Sequence, residues 1–596
     1  MRGMFWFGGA AVVLFVVLAG VLLPCPWKWG CVPPVTPGST ATPNPNTVQI
    51  SLASSITKRE WLEDAVKAFN EAAKSDGRYK LDGKPIQVTI IKEQDPLQPD
   101  VFNHYRSPTQ VKDTLSGKIK PTILSPADEA WVQWLNKEWR AQHNGRDIMT
   151  EKPESVARTP VIIAMWQSRA RALGCWPTAK PECSWQRLHE LAVSPTGWGA
   201  AGYPEWGKLK VGYAHILESD VGAQTAVMLC MAGLQKRTGL TVNDALATNG
   251  CGKAISDVEK TKVRSGKSSP WLLEGLLKGE GYMDAVTTYE KEVIAYNRTN
   301  AQKMQEPLVA AYPQDGTTVA GHPFAIMDGA EWVTPEQVQA AKIFRQFLLS
   351  PEQQQALLRT GMRPADPNVR LASPIEPSFG ANAEATVNAI EVPETLVLQQ
   401  IQKVWGDVKK HAMIAVVFDK SGSMSGEKII AASKGATEFV KLMHGQDTLV
   451  WMPFDDRVYM RTQGLQSEVG EQLVGEIGST PASGGTALYD AVAKAYHLLE
   501  EKRKTFGTDV RYGIVVLSDG KDTNSTEMSL PQLEAMLRPS ERDPHGIQIH
   551  TIGIGADADG DVLTKIATSA HGKYWKAKTT SVDEMIAIYR EIAVYF

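Results

Sequence analysis

Two apolar runs in the last third of this 596-residue chain each lead directly into a loop of oxygen-bearing side chains. The run MIAVVF is followed by DKSGS (419–423), and the run YGIVVLS is followed by Asp519 and Gly520. Continuous apolar strands are typical of parallel sheets that are covered on both faces. Polar residues at the carboxyl ends of such strands gather ligands. The sequence therefore predicts an α/β domain with a binding site at one edge of its sheet.

A third loop belongs to the same pattern, because GGTALYDAV places Thr486 on a glycine-rich loop before a helix. The three loops together resemble the metal-ion-dependent adhesion site of von Willebrand factor A domains at every position. The resemblance covers about residues 410–596 and implies a doubly wound, Rossmann-like domain. The metal ligands that it implies are Asp419, Ser421, Ser423, Thr486 and Asp519.

The chemistry of this set suits a hard cation. Hydroxyl and carboxylate oxygens are the ligands that Mg²⁺ prefers, and Mn²⁺ and Ca²⁺ also accept oxygen donors. In the resembling family, a carboxylate of a protein partner completes the metal coordination. The resemblance therefore implies a recognition site for a partner that offers an acidic residue.

The segment from residue 48 to 364 resembles a two-lobed extracellular solute-binding protein, of the class called periplasmic binding protein class II. The resemblance rests on ISLASSITKREWLEDAVKAFN, on KLKVGYAHILESDVGAQTAVMLCMAGL, and on GHPFAIMDGAEWVTPEQVQAAKIFRQFLLS. It implies one lobe from about residues 48–154 with a returning segment near 321–364, and a second lobe from about 155–319. Strand, helix and strand in the first part of this segment favour an α/β fold.

Hydroxyl groups at helix starts are the candidate ligand contacts in this front segment. Ser54, Ser55, Ser125 and Ser219 occupy such positions, where free N–H groups and the helix dipole favour an anion or a polar solute. Each of them is also explained as a simple helix cap. Tyr289 and Glu290 are candidates for closing the cleft from the far lobe, with a core position as the alternative.

The amino-terminal end predicts export. After a short segment (1–4), residues 5–24 contain the apolar run FWFGGAAVVLFVVLAGVLL, long enough to cross roughly 30 Å of hydrocarbon. We expect a single-pass membrane anchor; a cleaved or lipid-modified signal, giving a secreted or lipid-anchored protein, is the competing interpretation. A Pro/Thr-rich stalk (25–47) follows, and a linker with a helix (365–409) joins the two larger domains.

The six cysteines form three local couples, as expected in an oxidising compartment. We predict Cys175–Cys183 and Cys230–Cys251 disulfides, while Cys25 and Cys31 lie in the stalk. Metal binding is the weaker alternative, because no C-x-x-C couple is present.

Composition and the absence of catalytic motifs exclude further classes of function. With 63 basic and 66 acidic residues, the net charge of −3 gives no indication of a nucleic-acid partner. The motifs of zinc proteases, P-loop enzymes and α/β-hydrolases are absent from the sequence, so we predict a binding protein rather than an enzyme. Adhesion through the metal site is the leading hypothesis. A transport or sensing protein whose A domain docks on a membrane partner is the alternative, and a chelatase-like subunit is a third.

Overall fold

The computed structural model describes residues 46–95, 98–279 and 281–596. The predicted anchor at 5–24 and the stalk up to residue 45, including Cys25 and Cys31, lie outside these residues. Within the described part of the chain, no helix is long and apolar enough to span a membrane.

The strands, in chain order, are β1 (Val48–Ser54), β2 (Lys80–Leu81), β3 (Lys84–Ile91), β4 (Glu93–Asp95), β5 (Gln98–Asn103), β6 (Ile123–Ser125), β7 (Glu154–Ser155), β8 (Thr159–Trp166), β9 (Val211–Gly212), β10 (Lys262–Arg264), β11 (Ala285–Tyr289), β12 (Leu308–Ala311), β13 (Thr317–Ala320), β14 (Pro323–Ile326), β15 (Ala389–Ile390), β16 (Ala412–Asp419), β17 (Thr448–Phe454), β18 (Gln463–Leu465), β19 (Arg511–Ser518), β20 (Gln548–Ile554) and β21 (Tyr574–Ala577).

The α-helices are α1 (Arg59–Ser75), α2 (Ser107–Leu115), α3 (Glu129–Gln142), α4 (Gln167–Ala172), α5 (Trp185–Val193), α6 (Asp220–Leu234), α7 (Val242–Leu246), α8 (Lys253–Thr261), α9 (Ser269–Leu273), α10 (Glu290–Asn300), α11 (Pro335–Leu348), α12 (Pro351–Arg359), α13 (Thr395–Val408), α14 (Glu427–Leu442), α15 (Gln466–Gly478), α16 (Leu488–Phe506), α17 (Leu530–Arg542), α18 (Gly560–Thr568) and α19 (Val582–Ala593).

Besides the two-stranded sheet of β4 and β5, the front segment contains two large sheets, one in each lobe. The first has the strand order β2-β3-β1-β6-β14-β7, and the second has the order β10-β9-β11-β8-β13-β15, with β12 paired to β8. The chain passes from the first sheet to the second between β7 and β8, and it returns between β13 and β14. These crossings lie where the sequence predicts the change of lobe.

The third sheet forms the core of the last domain, in the order β18-β17-β16-β19-β20-β21. Strand β16 lies parallel to both β17 and β19, and all eight of its residues are buried. Ile414 and Val416 pack in the cluster that contains residues of α14 and α19, whereas Ala415 and Val417 pack with α16 and α18. Helices therefore cover both faces of the sheet, which confirms the predicted α/β fold.

The linker helix α13 packs onto the second lobe. Its buried residues Val397, Ile401 and Trp405 recur every four positions, so they lie on one face of the helix. They belong to the same apolar cluster as the core residues of α6 and α8. The helix that leads into the last domain is thus also part of the packing of the front one.

Two disulfides are present in the second lobe, and both were predicted. Cys175 is bonded to Cys183 and Cys230 to Cys251, with Cα–Cα distances of 4.9 Å and 4.0 Å. All four cysteines are buried.

Candidate metal centre and interlobe cavity

The predicted metal ligands lie on three loops at the carboxyl edge of the third sheet. Asp419 is the last residue of β16, and Asp519 follows the last residue of β19. Because β16 and β19 are parallel neighbours, with Phe418 opposite Leu517, their two aspartates come to the same edge. Both carboxylates are almost completely buried.

Hydrogen bonds join four of the five predicted residues. The Ser421 and Ser423 hydroxyl oxygens are 2.9 Å apart, and Ser423 Oγ donates to Asp519 Oδ1 at 2.7 Å. Asp419 accepts the Ser421 N–H at 2.8 Å and the Ser518 hydroxyl at 2.6 Å, one on each oxygen. The side-chain oxygens therefore converge, and the buried Asp419 carboxylate is held in one orientation.

Thr486 lies on the third loop, which is tied to the other two by its backbone. The Gly422 N–H donates to Gly484 O at 2.9 Å, and the Thr486 N–H lies 3.1 Å from Thr523 Oγ1 and 3.2 Å from Asn524 Oδ1. A Cβ atom on Gly485 would lie only 2.0 Å from Asn524 Oδ1. A side chain at position 485 would therefore force the Asn524 side chain to shift.

A lysine accompanies the acidic residues. Lys428 Nζ lies 2.5 Å from Asp519 Oδ2, the oxygen that Ser423 does not use. Burial raises the pKa of Asp419 to about 6, and the nearby Asp519 adds to the effect. Sequence reasoning did not assign Ser518, Asn524 or Lys428 to this site. Of these three residues, only Ser518 could have been found from the sequence, because it directly precedes Asp519.

The donor set fits a hard divalent cation. It contains three hydroxyls and two carboxylates, with no nitrogen or sulfur ligand, as Mg²⁺ prefers. Within the described residues, no group of three or more His, Cys, Asp or Glu side chains is placed to hold a metal ion. A site of this kind needs only two acidic residues, because hydroxyl oxygens supply the other ligands.

In the front segment, two of the candidate serines meet at a buried lysine. Lys58 Nζ donates to Ser55 Oγ at 3.0 Å, to Ser125 O at 2.7 Å and to Pro126 O at 3.3 Å. These three acceptors use all the donors of its ammonium group. Ser54, next to Ser55, is completely buried. The Lys58 side chain, whose pKa is lowered to about 7 by burial, therefore already engages the Ser55 hydroxyl and the Ser125 carbonyl.

The other candidates lie on the second lobe. Ser219 is the N-cap of α6, where its hydroxyl accepts the Gly222 N–H at 3.4 Å. Tyr289 is buried at the end of β11. Glu290 accepts hydrogen bonds from Arg363 at 2.7 and 2.8 Å and from Tyr312 at 2.5 Å, so its carboxylate is engaged within the protein.

The lobes contact each other through polar pairs. Arg106 Nη1 lies 2.5 Å from Glu218 Oε2, and Ser107 Oγ donates to Asp220 Oδ2 at 3.0 Å. Gln224 Nε2, also on the second lobe, donates to Asp128 Oδ2 of the first lobe at 3.2 Å.

Beside these pairs lies a cavity of about 270 Å³, which we call the linker-walled cavity. Its walls come from three parts of the chain: Trp131 and Trp134 of α3, Asp220 and Gln224 of α6, and Gln399 and Gln402 of α13, among others. Sequence reasoning described residues 365–409 only as a linker with a helix and did not place this helix at the cleft.

The fold and the two sites define a class of protein in which a two-lobed solute-binding domain precedes a von Willebrand A domain. The model of the bacterial extracellular solute-binding protein family matches residues 50–363, more than half of the chain, and the chain belongs to this family. The model of the von Willebrand factor type A domain matches residues 414–588. Both predicted resemblances are therefore confirmed.

Among curated proteins, an uncharacterized protein of Mycobacterium tuberculosis is 22% identical over 446 residues, which cover 72% of this chain. The matched part spans 62% of that relative's length. Among solved structures, a periplasmic thiamin binding protein is 13% identical with a TM-score of 0.39, covering 63% of this chain and 98% of its own. A von Willebrand factor type A protein from Catenulispora acidiphila is 18% identical with a TM-score of 0.27, covering 31% and 42%.

Proposed function

We propose that this protein is an exported, membrane-anchored binding protein with two binding sites. Its A domain holds Mg²⁺, or Mn²⁺ or Ca²⁺ in its place, and binds a protein partner that offers a carboxylate. Its front domain captures a small solute. Both domains are extracytoplasmic, consistent with membership of an extracellular solute-binding family. The protein binds its ligands and does not transform them.

The observation that carries the proposal is the continuous line of oxygens at the sheet edge. Ser421, Ser423 and Asp519 are joined at 2.9 and 2.7 Å, and Asp419 lies in the same loop. These residues would hold the ion together with Thr486, and the bound ion would supply a positive charge that a partner's carboxylate can meet. Ser518 holds the Asp419 carboxylate by a 2.6 Å hydrogen bond, so the orientation of this ligand is set before an ion binds.

Calorimetric titration of the full chain with Mg²⁺ and Mn²⁺ tests the metal site. We expect saturable binding, and a rise in melting temperature as the ion exceeds its dissociation constant. Asp519→Ala should abolish both effects. Asp561→Ala is the matched control, because Asp561 is exposed in the first turn of α18 and is not one of the proposed ligands. Absence of any effect of either ion on the unmodified protein would refute the proposed site.

A second function is favoured by the linker-walled cavity between the lobes. In this alternative, solute capture for transport or sensing is primary, and the A domain docks the protein on a membrane partner. The Asp519→Ala variant distinguishes the two in the native host. Loss of surface adhesion with intact solute uptake supports the first function, whereas loss of uptake supports the second.

A further inference from the structure

The linker-walled cavity is lined mainly by apolar groups, and its wall also contains the acidic residues Asp128, Glu218 and Asp220. Trp131 and Trp134 lie together on α3, with their ring centroids 5.5 Å apart. Asp128 and Asp220 line the same cavity from the two lobes. A mostly apolar wall suits a polyol poorly, because each hydroxyl of a bound polyol needs a hydrogen-bond partner.

Some of the charged side chains around the cavity form ion pairs, and others do not. Glu218 is paired with Arg106 at 2.5 Å, and Lys112 is exposed at the rim. Asp128 and Asp220 form no ion pair within 4.0 Å among the described residues. Lys58 attracts Asp220 electrostatically, but its three donors are used by other acceptors and it does not line the cavity.

Two polar atoms of the wall have no hydrogen bond of normal length among the described residues. They are Asp220 Oδ1, an acceptor, and the Trp134 Nε1–H, a donor. Burial also raises the pKa of Asp128 to about 7 and that of Asp220 to about 6, although hydrogen bonds from Ser107 and Trp131 and the nearby Lys58 oppose the rise at Asp220. A ligand that brings a cationic donor would satisfy Asp220, and aromatic faces stabilise cations as well.

We propose that the linker-walled cavity binds a small organic cation, an amine or quaternary ammonium with an apolar or aromatic body. The body packs against Trp131 and Trp134, and the ammonium group faces Asp128 and Asp220. The volume of about 270 Å³ is slightly below the roughly 300 to 1,000 Å³ of pockets for drug-sized ligands, so the ligand is small. This proposal rests on the proposed solute capture by the front domain, and it replaces the anion that the serines predict.

The test is calorimetry on the full chain with four probes: phenethylamine, 2-phenylethanol, 3-phenylpropionate and glucose. We expect binding of phenethylamine and much weaker binding of its neutral and anionic analogues. Asp220→Asn should weaken phenethylamine binding by at least about tenfold, because a cation loses its buried carboxylate partner.

A variant of the linker helix tests the position of the site without removing a charge. Gln399→Trp places a bulky side chain at the cavity wall, and it should abolish phenethylamine binding. Lys403→Trp is the matched control, because Lys403 is exposed on the same helix and does not line the cavity. Circular dichroism establishes that the variants are folded.

The outcomes separate this inference from the proposed function. Binding of the anionic, neutral or polyol probe in preference to phenethylamine, sensitive to Gln399→Trp, overturns the cation proposal and leaves solute capture intact. Phenethylamine binding that Gln399→Trp does not change overturns the assigned position. If no probe binds, and native mass spectrometry of freshly purified protein shows no small molecule, both proposals are wrong.

Discussion

Trp405 of the linker helix donates a 2.6 Å hydrogen bond from its indole Nε1 to Glu259 Oε1 at the end of α8. Glu259 is buried in the second lobe, where it also accepts from the Tyr213 hydroxyl and lies 3.2 Å from Lys262 Nζ. A buried carboxylate with three donors is well satisfied, so this contact fixes α13 against the lobe.

Glu259→Gln should destabilise the protein by about 3–5 kcal/mol, because it leaves the buried Lys262 ammonium without its carboxylate. Denaturant unfolding gives the free energy directly. Adding Lys262→Met to Glu259→Gln should recover much of the loss. The exposed Glu391→Gln serves as control, and an equally large effect there would contradict this assignment.

Stability of the ligand-free protein should depend on pH through Asp128. Burial raises its pKa from an ordinary value of 3.8 to about 7, so the folded state holds a proton that the unfolded state releases. The stabilisation is complete below 3.8 and is lost as the pH rises through about 7. Unfolding free energies between these limits should therefore fall more steeply in the wild type than in Asp128→Asn. Parallel curves would be evidence against the raised pKa.

Gly485→Ala should weaken Mg²⁺ binding by about tenfold or more, as changes around metal ligands commonly do. The added Cβ would meet Asn524 Oδ1 at 2.0 Å, and Asn524 positions the Thr486 N–H. Gly475→Ala is the control, because that exposed helical glycine has nothing within 4 Å of the added atom. Calorimetry measures the Mg²⁺ affinity of both variants. Unchanged affinity in Gly485→Ala would show that the loop tolerates the side chain.

Removal of the Cys230–Cys251 disulfide by double alanine substitution should cost about 2–4 kcal/mol. Removal of the Cys175–Cys183 disulfide should lower the free energy of unfolding by less, because this bond joins residues 8 apart in sequence rather than 21. Unfolding curves measure both effects, and peptide mapping without reductant verifies the pairs. Four free thiols in protein exported by its native host would contradict the predicted pairing.

Residues 5–23 predict that the full-length protein stays in the membrane fraction after a carbonate wash, and that external protease digests both domains. Fractionation and immunoblotting are the measurements. A mature amino terminus downstream of Leu23, found by sequencing of the purified protein, would establish cleavage instead.

The positions of Asp419 and Asp519 could be predicted because each directly follows an apolar run of residues, and the strands that such runs form are parallel neighbours in an α/β sheet. Lys58 could not be predicted as buried. Lysine is almost always exposed, and the carbonyls that satisfy Lys58 belong to Ser125 and Pro126, far along the chain.

Glu290 shows a similar limit. The resemblance made it a candidate for closing the cleft from the far lobe, but its partners Arg363 and Tyr312 come from distant segments. The helical pattern of Val397, Ile401 and Trp405 predicted a helix, whereas the surface that this apolar face covers is a tertiary property. The local sequence determines which face of this helix is apolar, whereas long-range packing determines which residues that face contacts.

The borders of the two families, at residues 363 and 414, therefore do not mark where the molecule can be divided. A fragment ending at residue 363 would lose α13 and expose apolar surface of the second lobe to water. A chimera that joined this A domain to a foreign solute-binding domain would likewise leave Val397, Ile401 and Trp405 without their hydrophobic neighbours. Any exchange of domains must therefore carry helix α13 together with the lobe on which it packs.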